Sequence, residues 1–394
     1  MQKNIVERAN AQKQWQLRIR RTLHANAEIG FQLKDTVGIV KRELINLNVP
    51  FEDCGKCGIV AWIGDRRSKN VILLRADMDG LPMYETTGEK YACKTGNMHA
   101  CGHDIHTAAV LGVAKLLMES KEKPKGLVKL LFQPAEEILQ GASDVIANGA
   151  LKNPAPKAAV AMHVSTGVTL STGTLVLSSR EIAAPAADYF QIDFHGKSCH
   201  GATPDKGADA LLAAAYTTIA LQTLVAREQQ VDDPFVLTIG SMQAGSAGNA
   251  IAETARLQGT MRAYSETTRE KIKTRMAEIV RAQAKTVGVT AKVTFTGGCP
   301  TLKNDKRLVQ LAKSCAEKLF PAQQVVVTDG RGGGSEDFAY ISQEIPSVLM
   351  VIAAGQIANG YKYPLHHPKT CFDEEVLPVA SALLAQFVID YLKK

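Results

Sequence analysis

The sequence predicts an α/β fold in which a mostly parallel sheet is flanked by helices and a ferredoxin-like α+β domain is inserted into it. Apolar runs of strand length alternate with segments of helical periodicity in both terminal parts of the chain, which is typical of βαβ units. The middle of the chain instead follows a βαββαβ order. The length of 394 residues also exceeds what a single core usually accommodates, so we expect two domains.

The first part of the chain supplies elements of the larger domain. Apolar residues spaced by three and four predict a helical region over residues 5–48, ending before Pro50. A further helix is predicted over 105–120, with Asp104 available as its N-cap. The predicted strands in this part are short apolar runs at 59–63, 71–76, 127–132 and 158–164.

The pattern changes near Pro185 and changes back after Gly297. Between these points, strands are predicted at 189–194, 235–241, 255–264 and 290–296, and helices at 209–225 and 270–287. Beyond them, helices are predicted at 306–319 and 374–392, and strands at 325–327 and 347–353. We therefore expect residues 1–184 and 298–394 to form the larger domain and residues 185–297 to form the inserted one.

Composition narrows the classes of partner. The net charge of +7 is modest, and its densest basic group, Arg18, Arg20 and Arg21, falls on a predicted surface helix without interleaved aromatic residues, so we expect no nucleic-acid partner. No apolar run approaches the length of a membrane span, and the polar N-terminus lacks the core of a secretory signal. We therefore expect a cytoplasmic protein whose eight cysteines are reduced.

Polar residues occur where three of the predicted strands end. Asp77 and Asp79 follow the second strand, and Glu136 and Glu137 follow the third. His163 lies near the end of the fourth. Because open parallel sheets bind their ligands at the carboxyl ends of the strands, this recurrence predicts a functional site at that edge.

A histidine- and cysteine-rich segment lies just before the predicted helix at 105–120. It contains His99, Cys101, His103 and His106, and with His163 it holds four of the nine histidines of the chain. A lone histidine is more often an ordinary core or surface residue, but this concentration favours a metal site. Thiolate, imidazole and carboxylate together favour zinc, manganese, cobalt or nickel over calcium or magnesium.

The adjacent Glu136 and Glu137 admit two interpretations. In an apolar setting the two carboxylates repel, and the pKa of one rises unless a cation intervenes. A metal bound by Glu137 would let Glu136 act as a general base toward water. Alternatively, the pair belongs to a solvated turn that happens to carry two acids. Taken alone, the pair does not decide between these interpretations.

Six segments together resemble the aminoacylase-type metallopeptidases, peptidase family M20. They are Asp77-Met78-Asp79 with Leu81-Pro82, MHACGHD at 98–104, FQPAEE at 132–137, Met162-His163, GGSEDF at 333–338 and LHHP at 365–368. The most similar branch is that of the amidohydrolases acting on N-acyl amino acids, hippurate or auxin conjugates. The resemblance runs from about Arg20 to the C-terminus, and it implies the fold of the binuclear-metal exopeptidases.

The resemblance also implies a centre of two divalent transition-metal ions (Mn, Zn, Co or Ni) in the larger domain, which would be the catalytic one. The implied ligands are Cys101, His103, Glu137, His163 and His366, with Glu136 as general base. His367 competes with His366 for the last position, and the Leu-His-x-Pro register favours His366. Asp77 and Asp79 would orient the ligands, and His99 and His106 would lie behind them or at the surface.

The inserted domain carries three further candidates implied by the resemblance. His200, in a glycine-led GKSCHGA segment, would stabilise an oxyanion. Asn249 and Arg262 would bind a substrate carboxylate. Roles outside the site also remain open: His200 could be an ordinary loop residue, and Arg262 could be a solvated residue of a strand. This domain would bind substrate and is also a candidate dimerisation element.

The chain departs from the family pattern at three places. Ala27 stands where a His-x-x-Pro-Glu segment usually has proline, Asp205 follows Pro204 where histidine is usual, and the segment 249–252 lacks its usual proline. None of these positions belongs to the implied metal centre. The last two are expected to border the substrate pocket, so they leave the identity of the substrate open.

We therefore predict a metal-dependent amidohydrolase that cleaves the amide bond of N-acyl amino acids or similar small amides. Its partner would be such a small molecule or a short peptide, and a homo-oligomer is left open. Three alternatives remain: a dipeptidase or carbamoyl hydrolase on the same scaffold, a catalytically silent metal-binding relative, and a serine hydrolase using Ser335. The absence of a G-x-S-x-G segment around Ser335 argues against the last.

Overall fold

The computed structural model describes residues 2–121 and 124–393, which divide into two compact units. The larger unit comprises the chain up to Ala183, Lys303–Gly330 and the chain from Asp337 onward. The smaller unit comprises Ala184–Leu302 and Arg331–Glu336. Each unit has its own cluster of buried apolar side chains.

The larger unit contains the elements that precede and follow the insertion. Its helices are α1 (Gln2–Ala11), α2 (Lys13–Ala25), α3 (Lys34–Asn46), α4 (His103–Met118), α5 (Gly141–Ala147), α8 (Lys306–Leu319), α9 (Phe338–Glu344) and α10 (Val376–Leu392). Its strands are β1 (Phe51–Cys54), β2 (Gly58–Gly64), β3 (Val71–Asp77), β4 (Leu127–Gln133), β5 (Ala158–Ser165), β6 (Leu175–Ser178), β13 (Val325–Thr328) and β14 (Ser347–Ala353). The short strands β7 (Ile182–Ala184) and β12 (Leu302–Lys303) lie where the chain leaves the larger unit after Ala183 and first returns to it at Lys303.

The eight strands form one sheet in the order β1-β2-β4-β3-β5-β14-β6-β13. Its centre is parallel, because β3 pairs in parallel with both β4 and β5, and β5 with β14. Every residue of β3 and β4 is buried, as expected for central strands covered on both faces. Helix α4, buried along almost its whole length, packs against β3 and α10. The predicted α/β class with a mostly parallel sheet is confirmed.

The helical region predicted over residues 5–48 is wrong in one respect, because an irregular segment separates α2 from α3. Glu28 accounts for the break. Its carboxylate accepts hydrogen bonds from the backbone amides of Asp35 and Thr36 at the start of α3, and its carbonyl accepts one from the amide of Gly80. These tertiary and capping contacts replace helical ones, and helical periodicity does not report them.

The helix α2 was predicted to present Arg18, Arg20 and Arg21 to solvent, and this is wrong for Arg20. Its side chain is buried, with Nε 2.8 Å from a carboxylate oxygen of Asp104 and Nη1 donating to Glu374 at 3.1 Å. A buried guanidinium needs such partners to offset its desolvation. Arg20 is therefore part of the interior beneath the start of α4.

The smaller unit has the ferredoxin-like arrangement. Its elements are β8 (Ala186–His195), α6 (Ala210–Thr223), β9 (Phe235–Ala244), β10 (Thr254–Ala263), α7 (Glu266–Thr286) and β11 (Thr290–Cys299). The strands form an antiparallel sheet in the order β11-β8-β10-β9. Alternate residues of β8, among them Phe190, Ile192 and Phe194, are buried in the core that α6 and α7 share with the sheet.

The predicted boundaries of the inserted domain, 185 and 297, differ from those of the compact unit. The unit extends to Leu302 and includes Arg331–Glu336 from the returning chain. Two hydrogen bonds hold this returning segment. Tyr264 Oη donates to the carbonyl of Gly332 at 2.7 Å, and Arg331 Nη2 donates to the carbonyl of Asp232 at 3.1 Å. These contacts link residues far apart in sequence, so the change of pattern near Gly297 did not indicate them.

One helix among the described residues is long and apolar enough to cross a membrane by length and composition. It is α6 with its one-turn π-helical continuation to Glu228, and its mean hydropathy is 1.3. About a third of this window is buried inside the protein (33%). Ala213, Ala214 and Leu221 of α6 pack in the core of the smaller unit. Packing in a core also accounts for the apolar composition of this helix.

Candidate metal centre

The strand ends that were predicted to meet do meet. Strands β4, β3 and β5 are parallel neighbours, and Asp77 at the end of β3 is paired in register with Gln133 at the end of β4. His163 is the third residue from the end of β5. Their carboxyl ends therefore form one edge of the sheet, and the segments that follow β3 and β4 carry Asp79, Glu136 and Glu137 across it.

The helix α4 begins at this edge and places His103 at its first position. The preceding Gly102 has φ of 87°, in the left-handed region that favours glycine. A Cβ atom on Gly102 would lie 2.3 Å from Val164 Cγ2 and 3.1 Å from Phe372 Cζ. Only glycine therefore allows the chain to turn between Cys101 and His103 so closely against β5.

All five predicted ligands and the predicted base converge here. The donor atoms fall into overlapping groups, each within 4.8 Å: Cys101, His103 and His163; Cys101, Glu137 and His366; and His103, Glu136 and Glu137. Cys101 Sγ lies 3.4 Å from His163 Nε2 and 3.3 Å from His366 Nε2. His366 Nε2 lies 3.4 Å from Glu137 Oε2. The thiol is thus common to two neighbouring groups of donors.

Backbone carbonyls orient two of the imidazoles. Nδ1 of His103 is 2.8 Å from the carbonyl of Asp79, and Nδ1 of His163 is 2.7 Å from that of Val164. Because a carbonyl oxygen only accepts, each Nδ1 carries the proton and donates. In the neutral form of each ring, which metal binding requires, the Nε2 atom keeps its lone pair, directed to the cluster.

Asp77 and Asp79 hold the residues around the cluster, as their predicted supporting role requires. Asp79 accepts hydrogen bonds from the backbone amides of Glu136 at 3.0 Å and Glu137 at 3.1 Å, one on each carboxylate oxygen. Asp77 accepts one from His106 Nδ1 at 2.5 Å, while Nε2 of His106 accepts one from the amide of Val164. His106 is therefore a buried neutral imidazole behind the ligands.

The cluster has the electrostatics of a cation site. Burial raises the pKa of the Cys101 thiol well above its ordinary range. Burial, opposed by His103 and reinforced by the carboxylates of Asp79 and Asp77, raises the pKa of Glu137 to about 7. Nε2 of His103 and Oε1 of Glu137 are buried and have no hydrogen-bond partner among the described residues. Divalent cations would satisfy these atoms and favour the thiolate and carboxylate forms, so the donor set fits such ions.

The structure separates the two candidates for the last ligand position. His366, with φ of 61°, turns its Nε2 toward Cys101, whereas His367 stacks on Tyr363 with ring centroids 4.4 Å apart. His99 is buried outside the groups of donors, and burial lowers its pKa to about 3. Oγ of Ser335 is buried and makes no hydrogen bond to any described residue, so no serine–histidine pair forms there.

A model of the peptidase family M20/M25/M40 matches residues 73–390. The chain belongs to this family. The N-acetyl-L-cysteine deacetylase of Bacillus subtilis is 34% identical over 383 residues, covering 97% of this chain and 89% of that protein. IAA-amino acid hydrolase ILR1-like 4 of Arabidopsis thaliana is 34% identical over 385 residues, with 96% and 86% covered.

Solved structures agree with the family assignment. The crystal structure of the Bacillus subtilis YXEP protein, a dinuclear metal binding peptidase from the M20 family, is similar with a TM-score of 0.80 and 30% identity, covering 98% of this chain and 99% of that one. The resemblance inferred from the sequence segments is confirmed, and so is the predicted class, a metal-dependent amidohydrolase. The individual roles of the M20 site residues in this chain remain predictions.

The three candidates of the smaller unit lie in two places. His200 and Asn249 are neighbours, because the amide of Gly201 donates to the carbonyl of Asn249 at 2.7 Å and His200 forms a bridge with Ala250. Arg262 lies near the other end of β10 from this loop, about 26 Å along the strand from Thr254 at 3.3 Å per residue. Its guanidinium is 5.9 Å from the ring centroid of Tyr189.

Sequence reasoning assigned no role to Arg75, Gln133 or Asp337, although all three are buried beside the cluster. A signal for two of them was present. Arg75 and Gln133 are polar residues in the mostly apolar runs VILLRAD and LVKLLFQ. A charge within a buried central strand needs a buried partner, but the sequence did not indicate that this partner is Asp337.

The first prediction concerns the pH dependence of metal binding. In the metal-free protein Glu137, with a pKa of about 7, and Cys101 and His103, whose pKa values are raised well above their ordinary ranges, carry protons that binding must displace. Affinity for Co²⁺ should therefore rise with pH from 5.5 to 7.5, by on the order of tenfold per pH unit for each proton released. Competition with a chelator measures this affinity, and the cobalt–thiolate absorption band reports the Cys101 bond.

Cys101→Ala is the matched control for this measurement. It should abolish the thiolate band and weaken binding, while the protons linked to Glu137 and His103 remain. An affinity that does not change over this pH range would contradict the assignment of these groups as ligands.

The second prediction concerns the turn at Gly102. Gly102→Ala should lose most of its bound metal, because its Cβ would overlap Val164. Gly149→Ala is the control, since Gly149 also has positive φ, 92°, but an added Cβ meets no atom within 4 Å. Both variants bear about 1–2 kcal/mol of backbone strain. Metal analysis of the purified proteins that showed full occupancy of Gly102→Ala would count against the packing argument.

Proposed function

We propose that this protein hydrolyses the amide bond of N-acyl amino acids or closely similar small amides, using two divalent transition-metal ions. The observation that carries the proposal is the convergence of five donors on two groups that share Cys101, with the carboxylate of Glu136 beside them: Cys101, His103 and His163, and Cys101, Glu137 and His366. A thiolate, imidazoles and a carboxylate favour manganese, zinc, cobalt or nickel.

The five ligands would hold the ions in the two neighbouring groups that share Cys101. Bound ions supply Lewis acidity, which polarises the scissile carbonyl and lowers the pKa of water. The protein's own contribution to this is orientation. Asp79 and Val164 fix the proton of His103 and His163 on Nδ1, so that the Nε2 atoms remain available.

Glu136 would act as general base and then as general acid. It would take a proton from the attacking water and deliver it to the nitrogen of the leaving amine as the C–N bond breaks. Its position supports this role. Its amide donates to Asp79, its Oε1 accepts a hydrogen bond from the amide of Asp337 at 3.4 Å, and its side chain is nearly buried.

The names of the relatives support the substrate class. N-acetylcysteine, an indole-acetyl amino acid conjugate and N-acetyldiaminopimelate are named in relatives that are 32–34% identical to this chain, and all carry an acyl group on an amino-acid nitrogen. We further propose that His200 donates to the oxyanion and that the substrate carboxylate is bound either by Asn249, beside His200, or by Arg262, which lies about 26 Å along β10 from Thr254. Cytoplasmic location, homo-oligomer formation and the absence of nucleic-acid and membrane partners also remain predictions.

The third prediction tests this function directly. Enzyme stripped of metal and reloaded with Mn²⁺, Zn²⁺, Co²⁺ or Ni²⁺ should hydrolyse N-acetyl, hippuryl or indole-acetyl amino acids, as measured by release of the free amino acid. Glu136→Gln should keep its metal and lose at least about 10² in kcat. Glu137→Gln should instead lose metal, because that residue is a ligand.

Two outcomes would contradict the proposal. Full activity after exhaustive chelation would exclude metal-assisted hydrolysis. Equal metal content and equal activity in the two glutamate variants would show that their roles are misassigned. Faster hydrolysis of dipeptides or N-carbamoyl amino acids than of every acyl substrate would instead favour the alternative functions on the same scaffold.

The fourth prediction separates the residues of the smaller unit. His200→Ala should lower kcat by about 10²–10³ at unchanged metal content, because an oxyanion donor acts only in the transition state. Arg262→Ala should raise KM for substrates with a free carboxylate and leave amide-blocked analogues unaffected. Equal losses on free and blocked substrates would remove Arg262 from carboxylate binding, and unchanged turnover in His200→Ala would remove that residue from catalysis.

A further inference from the structure

Asp337, in the GGSEDF segment, has no role in the mechanism above, yet it is among the most completely bonded side chains of the larger unit. Its carboxylate is fully buried. It accepts hydrogen bonds from Arg75 Nη2 at 2.9 Å, Gln133 Nε2 at 2.8 Å and the backbone amide of Ala142 at 2.8 Å. Three separate segments of the chain, β3, β4 and α5, therefore fix the position of one carboxylate.

Arg75 makes this arrangement rigid. Its Nη2 donates to Asp337, its Nε donates to Gln133 Oε1 at 3.0 Å, and its Nη1 donates to Asp77 at 2.7 Å. The planar guanidinium has its donors in a fixed fork, so the three acceptors cannot move independently. Because Arg75 is almost completely buried, removing any acceptor would leave one of its donors without that partner in the interior.

The backbone of Asp337 connects this cluster to the reaction. Its amide donates to Oε1 of Glu136, while Asp79 accepts from the amide of the same glutamate. A general base must lie within about 2.6–3.2 Å of the proton that it takes. Misplacing a catalytic group by about 1 Å can cost on the order of 10²-fold in rate.

We propose that Asp337, held by Arg75 and Gln133, is a positioning residue that sets the orientation of the Glu136 carboxylate. The inference rests on the proposed function, in which Glu136 is the base. It assigns a role to a segment that carries no ligand, and it explains why two polar side chains occupy central strands of the sheet.

Asp337→Asn tests the proposal with little change of volume. The amide group replaces one acceptor by a donor, which opposes the donors from Ala142 and Gln133, and it removes the charge paired with Arg75. We expect kcat on an N-acetyl amino acid to fall by about 10²-fold, with KM and metal content within about twofold of wild type. If this variant does not fold, Gln133→Met removes one donor and should lower kcat in the same way, by a smaller factor.

Lys129→Met is the matched control. Lys129 is buried on the same strand as Gln133, and its Nζ donates to the carbonyl of Lys152 at 2.6 Å, away from the cluster. Its loss should lower the unfolding temperature but leave kcat unchanged. A comparable loss of kcat in Lys129→Met would reduce the effect of Asp337 to general destabilisation.

A double-mutant cycle with Glu136→Gln decides between positioning and an independent effect. If Asp337 acts through Glu136, adding Asp337→Asn to Glu136→Gln should cost little further activity, so the two losses will not add. Fully additive losses, or a fall in metal content that accounts for the lower kcat, would overturn the proposal. Wild-type activity in Glu136→Gln alone would instead refute the proposed function.

Discussion

The parallel pairing of β3 with β4 and β5 is the constraint on which the candidate site depends. It brings the carboxyl ends of three strands to one edge of the sheet, and each strand ends in or leads to polar residues there. The helix α4 starts at the same edge because Gly102 permits a left-handed turn against β5. That common edge is what brings Cys101, Glu137 and His163 close to one another.

Compensation of buried charge shapes the surroundings of this edge. Asp104 faces both Arg20 and His24, and Asp77 faces both Arg75 and His106. Asp104 of α4 is held by two side chains of α2, whereas Asp77 of β3 is held by Arg75 of the same strand and by His106 of α4, so contacts with α2 and β3 stabilise the start of α4. Within the cluster, Nε2 of His103 and Oε1 of Glu137 have no hydrogen-bond partner among the described residues, so divalent cations fit there.

The two units contribute different kinds of residue. The larger unit carries the proposed ligands and the proposed base on or next to regular elements, and Cys101, His103 and Glu136 among them are buried. The smaller unit offers His200 and Asn249 on exposed loops of a ferredoxin-like scaffold. Rigid donors suit ion binding, and loop residues suit contact with a substrate that varies among relatives of the same family.

The sequence by itself determined the α/β class and the inserted βαββαβ region, because strand and helix periodicities are local signals, and its motifs implied the candidate donors through their resemblance to a known family. Only the tertiary structure decided that Arg20 is buried, that Glu28 interrupts the first helical region, and that His366 rather than His367 faces Cys101. The tertiary structure also showed that Arg75 donates a hydrogen bond to the carboxylate of Asp337. Periodicity shows that a side chain lies on a buried face, but the partner that neutralises a buried charge is set by contacts between distant parts of the chain.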